Sequence, residues 1–228
     1  MAKTFETTGM DHSVPYFGVI MDKKDTAVYP KYDLPPGYSL SHYKPGFEQM
    51  WIKQKAAVGE FEKEEAAQAV FRREYLYGSD REGQAPGKIT PEEVQSAPLY
   101  KQLCEKVLFI LDADGGLAAT GAIWDGNHFG KIYQRLHWVS VPPAHQNKGL
   151  GKVIVSKLLD LYNALGYSGY IYLTSQTWSY KALNIYSRFG FCPYIGEKPQ
   201  NWDDDGFEKN NAKAWEIISD KINSYGRQ

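Results

Sequence analysis

Apolar positions recur along this chain at two different periods, and the places where one gives way to the other mark out its elements. From Val107 onward short apolar runs are separated by tight polar turns: Val107 to Leu111, then Asp114-Gly115-Gly116, then Leu117 to Trp124. Aspartate and glycine between two such runs are hairpin chemistry, because glycine accepts the positive φ that a tight turn imposes. Further strands are predicted over Ile132 to Val141, closed by Pro142-Pro143, over Tyr170 to Thr174, and over Phe191 to Ile195. Between them the period lengthens to that of a helix. Leu150, Val153, Ile154, Leu158, Leu161 and Leu165 share one face of a helix over Gly149 to Leu165, with Lys152, Asp160 and Asn163 away from it and Gly166 as its stop. A second helix is predicted over Ser179 to Phe189. An amphipathic stretch from Asn210 to Ile222, reached through Asp203-Asp204-Asp205, predicts a last one.

The first hundred residues are more irregular and rich in aromatics. Tyr16 to Met21 and Tyr38 to Tyr43 read as short strands on either side of the turn signal Leu34-Pro35-Pro36-Gly37. Phe47 to Val58 and Lys63 to Tyr77 carry helical spacing, with Gly59 and Gly78 as stops, and the polar stretch Gly78 to Gly87 reads as an exposed loop. A third helix opens at Thr90-Pro91-Glu92-Glu93, where Thr90 and Glu93 form a capping box. Strands interleaved with helices predict a mixed α/β chain, read as one domain with an N-terminal elaboration.

Composition narrows the partners. Lys plus Arg (26) nearly balances Asp plus Glu (27) in 228 residues, so no basic field draws the protein to nucleic acid or an anionic membrane. A small-molecule partner is the default. The two cysteines, Cys104 and Cys192, form neither a disulfide scaffold nor a zinc spacing, which fits a reducing cytoplasm. Met1 to Tyr16 has no apolar core before a cleavage site, and no apolar run reaches the roughly 18 residues of a spanning helix.

The segment Gln146-Asn147-Lys148-Gly149-Leu150-Gly151 lies between a predicted strand and a long helix. A turn feeding a helix N-terminus presents unpaired N–H groups and the positive end of the helix dipole, so phosphate or diphosphate is the natural guest. Spacing separates the phosphate-binding patterns. A Walker loop requires glycine at Gln146 and a hydroxyl residue at Val153, and a dinucleotide fingerprint requires a small residue at Ile154; both fail.

The remaining pattern, Gln/Arg-x-x-Gly-x-Gly/Ala, resembles the signature of the GNAT superfamily of acetyl-CoA-dependent N-acetyltransferases. Leu136 to Val141 resembles the strand that precedes that signature in the family, and Ala182 to Phe191, with Tyr186 and Gly190-Phe191, resembles its second signature. The resemblance covers roughly Val107 to Ile195. It implies a mixed, mainly antiparallel sheet with splayed central strands, flanked by helices. Residues 1–100 would be variable strands and helices shaping the acceptor side, 101–200 the acetyl-CoA-binding core, and 201–228 an acidic loop and helix. It implies acetyl-CoA as co-substrate, held by Gln146, Asn147, Lys148, Gly149, Leu150, Gly151 and Lys152, and by main-chain contacts from Val139 and Val141. Ser179 stands where the family often has Asn, and Asn184 is the alternative contact. Tyr186 takes the position of the acid that meets the departing thiolate, and His137 is expected to serve as base near neutrality. No metal is implied.

Plain packing competes with several of these roles, since Tyr186 shares a helical face with Ala182, Ile185 and Phe189, and His137 lies in an aromatic strand. Asp203 to Asp205 reads as a solvated loop, with an ammonium trap as the alternative, and Trp124 and His128 carry no signal of their own. The acceptor expected is a primary amine of a small molecule. A protein amine and a non-catalytic acyl-CoA-binding domain are the alternatives, nucleic acid and membrane are not expected, and a homodimer is left open. Residues 1–100 hold no second copy of the motif, so a tandem architecture is not expected.

Overall fold

The computed structural model describes residues 9–78 and 87–225. The loop expected at Gly78 to Gly87 falls mostly on 79–86, and the start of the Met1 to Tyr16 segment on 1–8, both outside the described residues. The elements run β1 (Gly18–Lys23), β2 (Ser39–His42), α1 (Phe47–Ala57), α2 (Glu64–Phe71) continued by a π-helical turn (Arg72–Tyr77), α3 (Pro91–Ser96), α4 (Tyr100–Lys106), β3 (Val107–Leu111), β4 (Leu117–Gly126), β5 (Tyr133–Ser140), α5 (Leu150–Ala164), β6 (Ile171–Gln176), α6 (Tyr180–Arg188), β7 (Cys192–Pro193) and α7 (Phe207–Tyr225). The strands form one seven-stranded sheet in the order β2-β3-β4-β5-β6-β1-β7. Every pairing is antiparallel except β5 with β6. The expected mixed, mainly antiparallel sheet is therefore found.

Local chemistry explains the elements that frame the site. The β3–β4 turn closes because Asp112 Oδ1 accepts from the N–H groups of Asp114 and Gly116 at 3.0 and 2.7 Å, while Gly115 supplies φ 79. Alternation then sends Leu108 and Ile110 to one face and Phe109 to the other. Strand β4 is buried on both faces, and its small residues let helices approach closely: a Cβ at Gly121 would lie 2.7 Å from Leu158 of α5. One core lies under α5, α6 and α7; the other, aromatic, gathers Trp51, Phe71, Tyr75, Phe109 and Trp124 between the N-terminal helices and the sheet. Each such buried side chain contributes about 1.5–3 kcal/mol of transfer free energy.

Several expectations shift in detail. The helix read over Lys63 to Tyr77 is α-helical only to Phe71 and then widens, which turns Glu74 toward β5 and Arg72 toward α3. A separate short helix, α4, runs directly into β3 and has no counterpart in the pattern reading. On α5, Leu161 and Leu165 are only half-buried, while Leu159 and Tyr162 are fully buried, because the packed stripe follows 154–155–158–159–162. The strand read over Phe191 to Ile195 is short, since Pro193 has no N–H to donate to a ladder. Finally, β1 does not stay with the N-terminal elaboration: it inserts between β6 and β7.

Candidate functional site

Strands β5 and β6 are paired only at Arg135 with Tyr172 and Leu136 with Leu173. Beyond these two positions they part. On its other side β5 carries a bulge: Ala122 faces His137 and Thr120 faces Ser140, so three steps on β5 oppose two on β4. Trp138, inside the bulge, has φ 50. The result is a cleft whose β5 wall offers strand backbone without a strand partner.

The loop after β5 shapes one end of this cleft. Asn147 and Gly149 have φ 61 and 82, and Gly149 opens α5. Among the described residues, the N–H groups of Asn147, Lys148, Gly149, Leu150 and Gly151 have no backbone acceptor; the α5 ladder starts only with Lys152 and Val153 bonding back to Gly149 O. Gln146 is committed within the protein, its N–H to Pro143 O and its Nε2 to Val141 O at 3.2 Å. A cavity of about 690 Å³ lies against this loop. Val139, Val141, Gln146, Asn147, Gly149, Leu150, Gly151, Lys152, Ser179 and Asn184 line it; Lys148 does not and is exposed. Among the wall residues that the sequence reading did not assign to the site are Ser140, His145, Lys181 and Arg188. Lys152, Lys181 and Arg188 put positive charge where the loop already presents donors. Ser140 Oγ is buried and lacks a hydrogen-bond partner among the described residues. This donor-rich, cationic wall fits a diphosphate followed by a narrow polar chain.

A second cavity, of about 740 Å³, is lined by Leu136 to Val139 of β5 and Leu173 to Gln176 of β6. The two share Met10, Glu60, Val139, Ser179, Ala182 and Tyr186, so they meet at Val139 and Tyr186. The half-buried Glu60, just past the end of α1, was not singled out from sequence. His137, His128, Trp178, Trp202, Asp203 and Asp204 belong to the second cavity alone. Asp203 and Asp204 are thus cavity wall, rather than only the solvated loop expected. Tyr186 is 7% exposed, and burial, reinforced by Glu60, raises its hydroxyl well above the usual tyrosine range. It is a neutral O–H at any working pH.

His137 differs from expectation. It is 8% exposed, and its Nε2 lies 2.5 Å from Glu74 Oε2 and 3.3 Å from Arg135 Nη2. Burial and the Arg135 charge push its pKa down to about 4, against the upward pull of Glu74. Glu74 also accepts from Trp138 Nε1 at 2.8 Å and from Arg73 at 2.9 Å; burial opposes its ionisation, and these donors hold it ionised. The pair is carboxylate and neutral imidazole, with Nε2–H donated to Glu74. His137 is therefore no titrating group near neutrality. Among the described residues, no group of three or more His, Cys, Asp or Glu is placed to hold a metal, and no helix is long and apolar enough to cross a membrane.

Comparison with known proteins fits this geometry. Residues 74–191, just over half of the chain, match the acetyltransferase (GNAT) family. The match begins at Glu74, upstream of the Val107 at which the sequence resemblance starts. A GCN5-related N-acetyltransferase from Sphaerobacter thermophilus is similar in structure at 16% identity and a TM-score of 0.50, over 78% of this chain and 48% of its own. An acetyltransferase of the GNAT family from Colwellia psychrerythraea gives 11% identity and a TM-score of 0.52, over 79% and 54%. A tandem GNAT protein from the clavulanic acid biosynthesis pathway gives 15% and 0.50, over 81% and 52%. The chain spans about half the length of these structures, and at such identities the likeness is one of fold. No curated protein matches it.

Proposed function

This chain belongs to the acetyltransferase (GNAT) family, and from that premise we propose that it moves the acetyl group of acetyl-CoA to a primary amine of a small molecule, by direct attack within a ternary complex. The observation that carries the reading is the meeting of two cavities at Val139 and Tyr186, one walled by the strand-to-helix loop and the other by carboxylates and aromatics. About 740 Å³ is a volume suited to a small molecule. Glu60, Asp203 and Asp204 suit an acceptor that arrives as an ammonium ion.

Acetyl-CoA supplies a thioester carbonyl and a thiolate leaving group. The N–H groups of Asn147 to Gly151 bind its diphosphate at the start of α5, with Lys152, Lys181 and Arg188 complementing its charge. The β5 edge at Val139, beyond its last pair with β6, and Val141 just past the strand hold its amides as an added strand would. A β5 amide beside the carbonyl polarises it, a donor of a kind worth about 3 kcal/mol. Tyr186 stays protonated and donates to the thiolate as it leaves. The attacking amine must first lose a proton. Glu60, the carboxylate that lines both cavities, is placed where amine and thioester meet and takes that proton directly or through water. His137, held through Nε2, orders the β5 wall beside it. The scheme uses no metal.

The test is thiol release from acetyl-CoA across a panel of small amines and amine-bearing peptides. Turnover on a small cationic amine that is lost in Glu60→Gln, with coenzyme affinity retained, is the expected result. Tight coenzyme binding without turnover on any acceptor would mark a binding domain and end the transferase reading.

A further inference from the structure

The N-terminal helices grip the reacting strand at one residue. Trp138 is a large side chain at φ 50, a backbone conformation costly for any residue with a Cβ and found where surroundings over-determine it. Two charged groups, Lys55 fully buried and Glu74 partly so, hold it from different elements. Lys55 of α1, with 0% exposure, donates from Nζ to the Trp138 carbonyl at 2.9 Å, and its Nζ also lies 5.0 Å from the Trp138 ring and 5.5 Å from the Trp51 ring. Glu74 of the π-helical turn accepts from the Trp138 indole N–H at 2.8 Å and ties down the neighbouring His137. The Trp138 ring itself packs against Trp51 and Phe61, with centroids 5.7 and 5.5 Å away.

A lysine in such a place is costly: burial pulls its pKa down to about 8, offset only in part by Glu60 and Glu74. An apolar side chain of similar length would fill the space without that cost. What the amine does that a methyl group cannot is donate to the Trp138 carbonyl. That carbonyl shares a planar trans peptide with the N–H of Val139, and the two point in opposite directions. Fixing one therefore aims the other. Val139 has no counterpart in either ladder register among the described residues, and it lines both cavities.

We propose that Lys55 and Glu74 are positioning residues: together they clamp Trp138 in its left-handed conformation and so aim the Val139 N–H at the acyl carbonyl that the cleft receives. The inference rests on the acyl-transfer reading for its chemistry, but the clamp itself is a property of the free protein. Neither side chain touches the reacting atoms.

The experiment compares Lys55→Met and Glu74→Gln with the exposed α1 control Lys53→Met. Three quantities are read: affinity for coenzyme A, which lacks an acyl carbonyl; the carbonyl resonance of bound 1-¹³C-acetyl-CoA; and the Trp138 Cα and Cβ shifts of the free protein. In Lys55→Met, coenzyme A affinity stays within about twofold of wild type. Its kcat falls at least about tenfold, because a misaimed donor forfeits part of the 10²–10³ that one oxyanion donor supplies. The thioester carbonyl resonance returns toward its value in free solution, and the Trp138 shifts leave the left-handed range. Glu74→Gln, which keeps the volume, gives the same changes at smaller size and covers the case in which Lys55→Met does not fold. Wild-type carbonyl and Trp138 shifts in a folded variant would overturn the clamp. If wild type fails to bind acetyl-CoA at all, the acyl-transfer reading falls instead, and the Trp138 shifts of the free variants still decide whether the clamp exists.

Discussion

Gly149 and Gly151 stand two residues apart and are needed for different reasons. At Gly149 nothing lies within 4 Å of the position a Cβ would take, so space is not the constraint; φ 82 is. Gly149→Ala should cost about 1–2 kcal/mol in chemical denaturation and weaken coenzyme affinity as the loop N–H groups turn away. Gly149→Asn, which tolerates the left-handed region, should keep most of both. At Gly151 the backbone is helical, but a Cβ would lie 2.9 Å from Ile185 Cδ1 on α6. Gly151→Ala should therefore cost little alone and less still with Ile185→Val, a coupling that a double-mutant cycle reads directly. Tyr186 is the third case. Its hydroxyl is raised by burial and Glu60 and sits where the cavities join. Tyr186→Phe should lower kcat by about 10²-fold while KM for acetyl-CoA changes little; unchanged turnover across pH would make Tyr186 a packing residue only.

At the scale of elements, the site is assembled by three: the unzipped β5, the start of α5, and α6, which walls both cavities. The last two were legible because their signals are local. Glycine at the N-terminus of α5, its 3.6-residue stripe and the Gly166 stop with φ 80 are each settled by a few neighbouring residues. The hairpin into β4 was legible for the same reason. The bulge in β5 was not, because Trp138 favours φ 50 only in the company of Lys55 and Glu74, which are 83 and 64 residues away in sequence. The π-helical turn that delivers Glu74 was illegible too, since its anchor is tertiary. Arg72, 5% exposed, grips Glu93 of α3 with Nε–Oε1 and Nη2–Oε2 distances of 2.7 and 3.0 Å. Arg72 chiefly lowers the Glu93 pKa, so the pair is present above the usual carboxylate range and lost as pH falls below it. Breaking it with Glu93→Gln should destabilise by about 3 kcal/mol. If the π-helical turn is its dependent, kcat should fall as well although Glu93 is remote from both cavities; unchanged kcat would uncouple them.

Over the whole molecule, the sheet separates a mixed aliphatic and aromatic core under α5 and α6 from a mainly aromatic core under the N-terminal helices, and charge is buried where the second core meets β5. Pattern reading could assign that region helices but not a function, because its aromatics serve packing and its charged residues are spread over α1, the π-helical turn and β5. Their burial leaves a mark on stability that can be read without any ligand. His137 is lowered to about 4 from 6.5, so between these values the unfolded chain binds a proton that the native one refuses; stability is full above 6.5 and declines as pH falls toward 4. Lys55 is lowered to about 8 from 10.5, so the same sign holds higher up: its cost is present at pH 8 and relieved as pH rises toward 10.5. Glu74 and Glu93 are held below the usual carboxylate range, so their own losses fall below about pH 4.5. Tyr43, Tyr75 and Tyr186 are raised, so from about pH 10 the unfolded chain sheds protons that the native one keeps, and stability then falls. His128, in the wall of the second cavity, is also lowered to about 4, first by burial and then by the Arg135 charge, so two histidines share the acid window. From pH 5 to 6.5 unfolding free energy should climb by about 1–2 kcal/mol through His137 and further through the half-buried His128, whereas from pH 8 to 10 the Lys55 gain of about 2 kcal/mol is opposed by the raised Cys104 and tyrosines and shows only as the difference between wild type and Lys55→Met. In urea melts at fixed ionic strength, His137→Gln should reduce the lower climb and the further change His128→Gln should flatten it, while the stability of wild type relative to Lys55→Met should rise by about 2 kcal/mol from pH 8 to 10. A lower climb undiminished in His137→Gln would place the buried titration elsewhere in the chain, at His128 first, and detach it from the β5 wall.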